Sequence, residues 1–87
     1  MARYELRLKA SVAKDLRGLA DADVRRILER IESLRDDPRP VGSDKLASQE
    51  RYRIRQGNYR ILYEIQDQEV VVVIVRIGHR REVYRDK

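Results

Sequence analysis

Three arginines, Arg53, Arg55 and Arg60, flank Gly57-Asn58, a dipeptide suited to the two-residue turn of a β-hairpin. A hairpin closing there pairs residue 55 with 60, 54 with 61, 53 with 62 and 52 with 63, and directly opposed residues share a face of the sheet. Ile54 then meets Ile61 and Tyr52 meets Tyr63, which makes one face fit for a core, while the three guanidinium groups gather on the other. Opposed like charges cost roughly 0.2 to 1 kcal/mol per pair. A polyanion bound across that face relieves the cost, so the arrangement points to phosphate recognition.

A second cationic segment, Gly78-His79-Arg80-Arg81-Glu82-Val83-Tyr84-Arg85, follows a valine-rich run. If the run lies beside the hairpin, Arg53, Arg55, Arg60, Arg80 and Tyr84 line one groove. Guanidinium groups stay charged at physiological pH and grip phosphate oxygens in pairs, which suits the charge-rich transition state of phosphodiester cleavage. No cluster of Asp, Glu and His has metal-ligand spacing, and the single histidine, His79, cannot serve as both acid and base. What fits is attack of a ribose 2′-hydroxyl on the adjacent phosphate without metal or cofactor, a reaction that requires RNA, positioning, charge neutralisation and two proton transfers. Arginine does not readily give up a proton, and an ordinary tyrosine, with a pKa of about 10, is mostly protonated at neutral pH. Tyr84 therefore either stacks on a base or transfers a proton with its pKa lowered by the surrounding arginines. Arg80 either stabilises the leaving group or neutralises nearby acids. His79, directly after Gly78, reads as a turn residue rather than the base.

The elements that must position these groups follow from periodicity. Tyr4, Leu6 and Leu8 alternate with Arg3, Glu5 and Arg7, which predicts a half-buried strand over residues 2 to 9. Ser11 is placed to cap a helix carrying Val12, Leu16 and Leu19, and Asp21 to cap a second one. In the second, Val24, Ile27, Leu28, Ile31 and Leu34 form an apolar stripe that ends at Asp36-Asp37-Pro38. Residues 38 to 50, with both prolines and Gly42, read as a loop long enough to contribute to function. Strands follow at about 51 to 56 and 59 to 66, and Gln66-Asp67-Gln68 turns the chain into Val70 to Val75, apolar on both faces and therefore central in the sheet. A second turn of two residues or of three puts Arg76 on opposite faces, and the sequence leaves that open. The expected fold is α+β, in the order β-α-α-β-β-β, with two helices packed on one face of a mainly antiparallel four-stranded sheet and the other face partly open.

Composition sets the limits. Leu, Ile and Val make up 24 of 87 residues, above the roughly 20 % level below which disorder is the default, so one small domain with an aliphatic core is expected. The net charge of +5 is concentrated in residues 51 to 87, with nine basic and five acidic side chains. Such a surface suits nucleic acid or an acidic protein. There are no cysteines, the N-terminal stretch carries charges where a signal peptide needs an apolar core, and Val70 to Val75 is too short to span a bilayer. A reducing cytoplasm, without membrane attachment, is the expected setting.

On these residues the chain resembles the RelE/ParE superfamily of bacterial type II toxins. The segments PRPVGSDKL, YRIRQGNYRILYEI and VVVVIVRIGHRREVYR carry the likeness, in the family's order. The resemblance implies a RelE-like microbial ribonuclease-type fold over residues 1 to 87 and a metal-independent messenger-RNA interferase that cleaves in the ribosomal A site and arrests growth. It further implies silencing by a cognate, acidic, RelB-like antitoxin in a hetero-oligomer. The family's catalytic positions fall on Arg53, Arg55, Arg60, Arg80 and Tyr84, with Lys45, Arg51 and Arg81 binding ribosomal or messenger RNA backbone. The GHRREVY ending favours the RelE-like branch over ParE-like gyrase inhibitors, which stand as the alternative together with a non-catalytic nucleic-acid-binding module. Where better-understood members carry lysines, this chain has Arg53 and Arg55, which leaves the general base without an obvious candidate.

Overall fold

The computed structural model describes residues 3–46 and 51–79. Their elements are β1 (Glu5–Leu8), α1 (Ala10–Arg17), α2 (Asp21–Ser33), β2 (Asp44–Lys45), β3 (Arg51–Gln56), β4 (Tyr59–Gln66) and β5 (Val71–His79). The sheet runs β1-β5-β4-β3-β2, with β1 parallel to β5 and every other pairing antiparallel. The α+β order and the two helices on one side are as the periodicity predicts. The strand count is corrected from four to five, because Asp44 and Lys45, inside the predicted loop, form a short edge strand on β3.

The core fills the space between the helices and one sheet face. Val12 of α1 and Ile27 and Ile31 of α2 pack with Ile54, Ile61, Tyr63, Val72, Ile74 and Ile77. The valine run is central as expected, since β5 has β1 on one side and β4 on the other. Leu34 is fully buried one residue past α2, whereas Leu28, assigned to the same stripe, stays 42 % exposed. Helix starts come earlier than expected, by two residues in α1 and by one in α2. Ser11 sits inside α1 and donates from Oγ to the carbonyl of Val75 at 3.3 Å, and Lys9 takes the cap position. Asp21 is the first residue of α2, after Ala20, where its charge still favours the positive end of the helix.

The hairpin closes at Gly57-Asn58 with the expected register, Arg55 opposite Arg60 and Ile54 opposite Ile61. Gly57 has φ of +60° and Asn58 does not enter positive φ, the pattern of a type II′ turn in which glycine leads. The β4–β5 connection is longer than predicted. It takes in Val70, counted above with the strand, which is held at φ of +57°, a strained conformation for a β-branched side chain. Glu5 donates its backbone N–H to the Val70 carbonyl at 2.8 Å, tying that turn to β1.

A polar latch holds the loop before β2 against the rest. Arg39 donates from both terminal nitrogens to the Asp67 carboxylate, at 3.3 and 2.8 Å, and from Nε to the Tyr52 hydroxyl at 3.1 Å. Tyr4 also donates to Asp67, at 2.8 Å. Arg39 and then Tyr4 hold the Asp67 carboxyl below its usual range. Tyr63 stacks on Tyr52 at 5.8 Å and donates to the Pro38 carbonyl at 2.7 Å. Burial pushes the Tyr63 phenol from 10.0 up to about 12. The unfolded chain thus ionises this residue first, so its stabilising effect is complete below pH 10 and is lost as pH rises toward 12. The loss should approach about 2 kcal/mol, at 1.36 kcal/mol per pH unit. Chemical denaturation across that range is expected to show it, and Tyr63→Phe to remove it while costing about 1 kcal/mol at neutral pH.

Candidate active site

A β-bulge decides which side chains meet on the face turned away from the helices. From Gln66 to Tyr63, β4 pairs with Val71 to Ile74, but Leu62 then pairs with Arg76, and Ile61 with Ile77. Val75 is the extra residue. The shift puts Arg76 on the face that carries Leu62 and Arg53, answering what turn length alone left open. Arg51, Arg53 and Arg55 of β3, Arg60 of β4 and Arg76 of β5 therefore share one surface.

These five cations differ in their surroundings. Arg55 is exposed and makes no hydrogen bond or ion pair among the described residues. Arg60, opposite Arg55 on one side and Gly78 on the other, is only 4 % exposed. The face is therefore not open at Arg60, contrary to the sequence reading. Arg51 donates from Nε to Glu64 Oε2 at 3.1 Å, and Arg53 donates from a terminal nitrogen to Asp44 Oδ2 at 3.0 Å. The expected row of mutually repelling cations is thus partly neutralised from within. Among the described residues the direct cation-to-cation opposition is Arg55 against Arg60, nearest the hairpin turn.

The other predicted positions divide in two. Lys45 is exposed but paired with Tyr52, which puts it on the helix side of the edge strand and away from the arginines. A strand's side chains alternate faces, so Lys45 and Arg51 stand on opposite sides of the sheet. His79 ends β5 opposite Tyr59, the two rings edge to face at 6.0 Å, so it continues the strand rather than forming a turn. It borders a cleft of about 460 Å³ between α1 and β5 that also takes in Lys14 and Asp15, on the helix side. Arg80, Arg81 and Tyr84 lie outside the described residues. Glu64 and Asp44 were missed. Extending the hairpin pairing by one step would have found Glu64 opposite Arg51, whereas nothing in the sequence announces the edge strand that brings Asp44 to Arg53.

Among the described residues no group of three or more His, Cys, Asp or Glu is placed to hold a metal ion. No helix there is long and apolar enough to cross a membrane. What the surface can do is bind and orient a phosphate diester through fixed guanidinium groups.

The family model described as the ParE toxin of the type II toxin–antitoxin system, parDE, matches residues 6–84. The chain belongs to the RelE/ParE family of type II toxins. Toxin RelG of Mycobacterium tuberculosis is 33 % identical over 86 residues, covering 94 % of this chain and 97 % of that one. The fold agrees with the RelE of the archaeal RelE–RelB complex from Pyrococcus horikoshii, at a TM-score of 0.81 and 30 % identity over 90 % of this chain and 96 % of that one. A chain of the toxin–antitoxin complex RelBE2 of M. tuberculosis superimposes with a TM-score of 0.79 and 28 % identity, over 90 % and 99 % of the two chains. The RelE-like toxin fold is thereby shared across nearly the whole sequence, and relatives have been crystallised with RelB antitoxins.

Proposed function

We propose that the protein is a ribosome-dependent endoribonuclease that cleaves messenger RNA in the A site and thereby arrests translation and growth. The observation that carries the reading is the strand register, which gathers Arg53, Arg55, Arg60 and Arg76 on one face. In the reaction, the ribose 2′-hydroxyl attacks the adjacent phosphorus, the P–O bond to the 5′-oxygen of the next nucleotide breaks, and a 2′,3′-cyclic phosphate and a 5′-hydroxyl result. Arg53, Arg55 and Arg60 grip the phosphate whose negative charge grows in the transition state. Arg80 stabilises that state or the leaving oxygen, and Tyr84 stacks on a base or transfers a proton. Arg51 and Arg81 contact the RNA backbone. Neutralisation by guanidinium groups is why no metal is invoked. An acidic RelB-like antitoxin, ordered as it wraps the basic toxin in the cytoplasm, covers this face in the resting hetero-oligomer.

Induced expression followed by mapping of transcript ends tests the assignment. Breaks within translated codons, each bearing a 5′-hydroxyl, are expected. The ParE description of the matching family favours a second reading, a gyrase inhibitor on the same fold. Growth arrest with intact transcripts, DNA breaks and an SOS response would establish that one instead. Salt-sensitive RNA binding with neither cleavage nor arrest would leave a binding module.

A further inference from the structure

The two carboxylates on the arginine face are not equivalent. Glu64, on β4, stands in the sheet interior directly across from Arg51, and the side chains are comparably enclosed, 28 % and 34 % exposed. Asp44 comes instead from the two-residue edge strand β2 and pairs across the ladder with Arg53. Its own side chain is 59 % exposed, while that of Arg53 is 18 % exposed with Nε buried. A largely enclosed guanidinium is thus held at one terminal nitrogen by a carboxylate that itself stands in water. Simple anchoring of the edge does not require the contact. The backbone already does that, with β2 laddered on β3 and Leu46 N–H donating to the Arg51 carbonyl at 2.8 Å.

What a carboxylate at that point does is fix a plane. A guanidinium is a rigid fork, and a short charge-assisted bond to one prong sets the direction in which its remaining N–H groups point.

We propose that Asp44 is a positioning residue for RNA cleavage, holding the Arg53 guanidinium in the orientation in which it meets the scissile phosphate. This rests on the nuclease reading above. Asp44 does not touch substrate. It acts through Arg53, and its negative charge works against RNA binding while its geometry works for the chemical step. The two effects have opposite signs, which separates this role from a purely electrostatic one.

Single-turnover cleavage of messenger RNA on programmed ribosomes, with the full chain, tests it. Asp44→Ala is expected to lower the cleavage rate constant roughly 10- to 100-fold, the penalty of a misaligned catalytic group, while the half-saturating ribosome concentration stays the same or falls. Asp44→Asn, which keeps an acceptor oxygen, should lose less than Asp44→Ala, and Asp44→Glu should recover part of the rate. On an Arg53→Ala background, Asp44→Ala should add almost nothing, because the partner it orients is gone. An unchanged rate in Asp44→Ala, or a loss that multiplies in full with that of Arg53→Ala, overturns the proposal. If Asp44→Ala melts early, Asp44→Asn at matched folded concentration carries the same comparison. Parent protein that leaves ribosome-bound RNA intact takes down the nuclease reading and this inference with it, whereas a parent that cuts beside an indifferent Asp44→Ala takes down the inference alone.

Discussion

Replacing Arg55 and Arg80 together by alanine is expected to lower transcript cleavage by roughly a thousandfold or more, on the scale of about 10²–10³ for each fixed donor removed from a developing oxyanion. Arg55 is the cleaner probe of the hairpin arginines. It is exposed and makes no hydrogen bond or ion pair among the described residues, so its truncation should change stability by no more than about 0.5 kcal/mol. Arg60 is a poorer choice, because it is buried and its removal deletes packing along with charge. Growth after induction and the count of new 5′ ends are the readouts. A double variant as toxic and as active as its parent would remove the arginine face from the mechanism. Losses smaller than the product of the two single effects are expected, since groups acting on one phosphate are not independent.

Ile61→Ala should have the largest effect on stability. Ile61 is fully buried, with Ile54 across on β3 and Ile77 across on β5, so truncation leaves a cavity walled by strands that cannot collapse. The expected cost is about 2 to 5 kcal/mol. In a domain of this size that lowers the melting temperature by roughly 10 to 30 °C, a large part of a total stability of about 5 to 15 kcal/mol. Thermal unfolding followed by circular dichroism measures it directly. The variant should also lose toxicity in cells through reduced abundance, while the folded fraction cuts RNA at the parental rate per molecule, because Ile61 points away from the arginines. A shift of less than about 5 °C would mean that the row of isoleucines is not the centre of the core.

Local signals were the legible part of the fold. The Gly57-Asn58 turn fixed a register that extends correctly through six residue pairs of β3 and β4, because side-chain alternation leaves no freedom once the turn is placed. The helix stripes were equally readable, since Ile27 and Ile31 recur at the helical period. What escaped depends on contacts between distant segments. Two residues of edge strand have no periodicity to detect, so β2 was hidden, and with it the link between Asp44 and Arg53. The burial of Arg60 was hidden for a similar reason, as strand alternation tells which way a side chain points but not what lies over it. The direction of Lys45 was hidden too, because a cation beside a basic motif is read by its charge when no strand gives it a face. The family resemblance supplied candidate roles for Arg80, Arg81 and Tyr84, and those roles remain proposals.

The extra residue at Val75 has a consequence for how this sheet tolerates change. Pairing on the two sides of it differs by one step, so the strand reverses its inside and outside partway along. Closing the bulge without removing a residue, so that Val75 paired with Leu62, would turn Arg76 toward the helices and Ile77 outward, whereas deleting Val75 leaves Arg76 opposite Leu62 and Ile77 opposite Ile61. A slip of the strand by a single residue would here exchange an oily contact for a charged one in the middle of the protein. The reading frame of the fold is kept by a residue that has no partner across the strand.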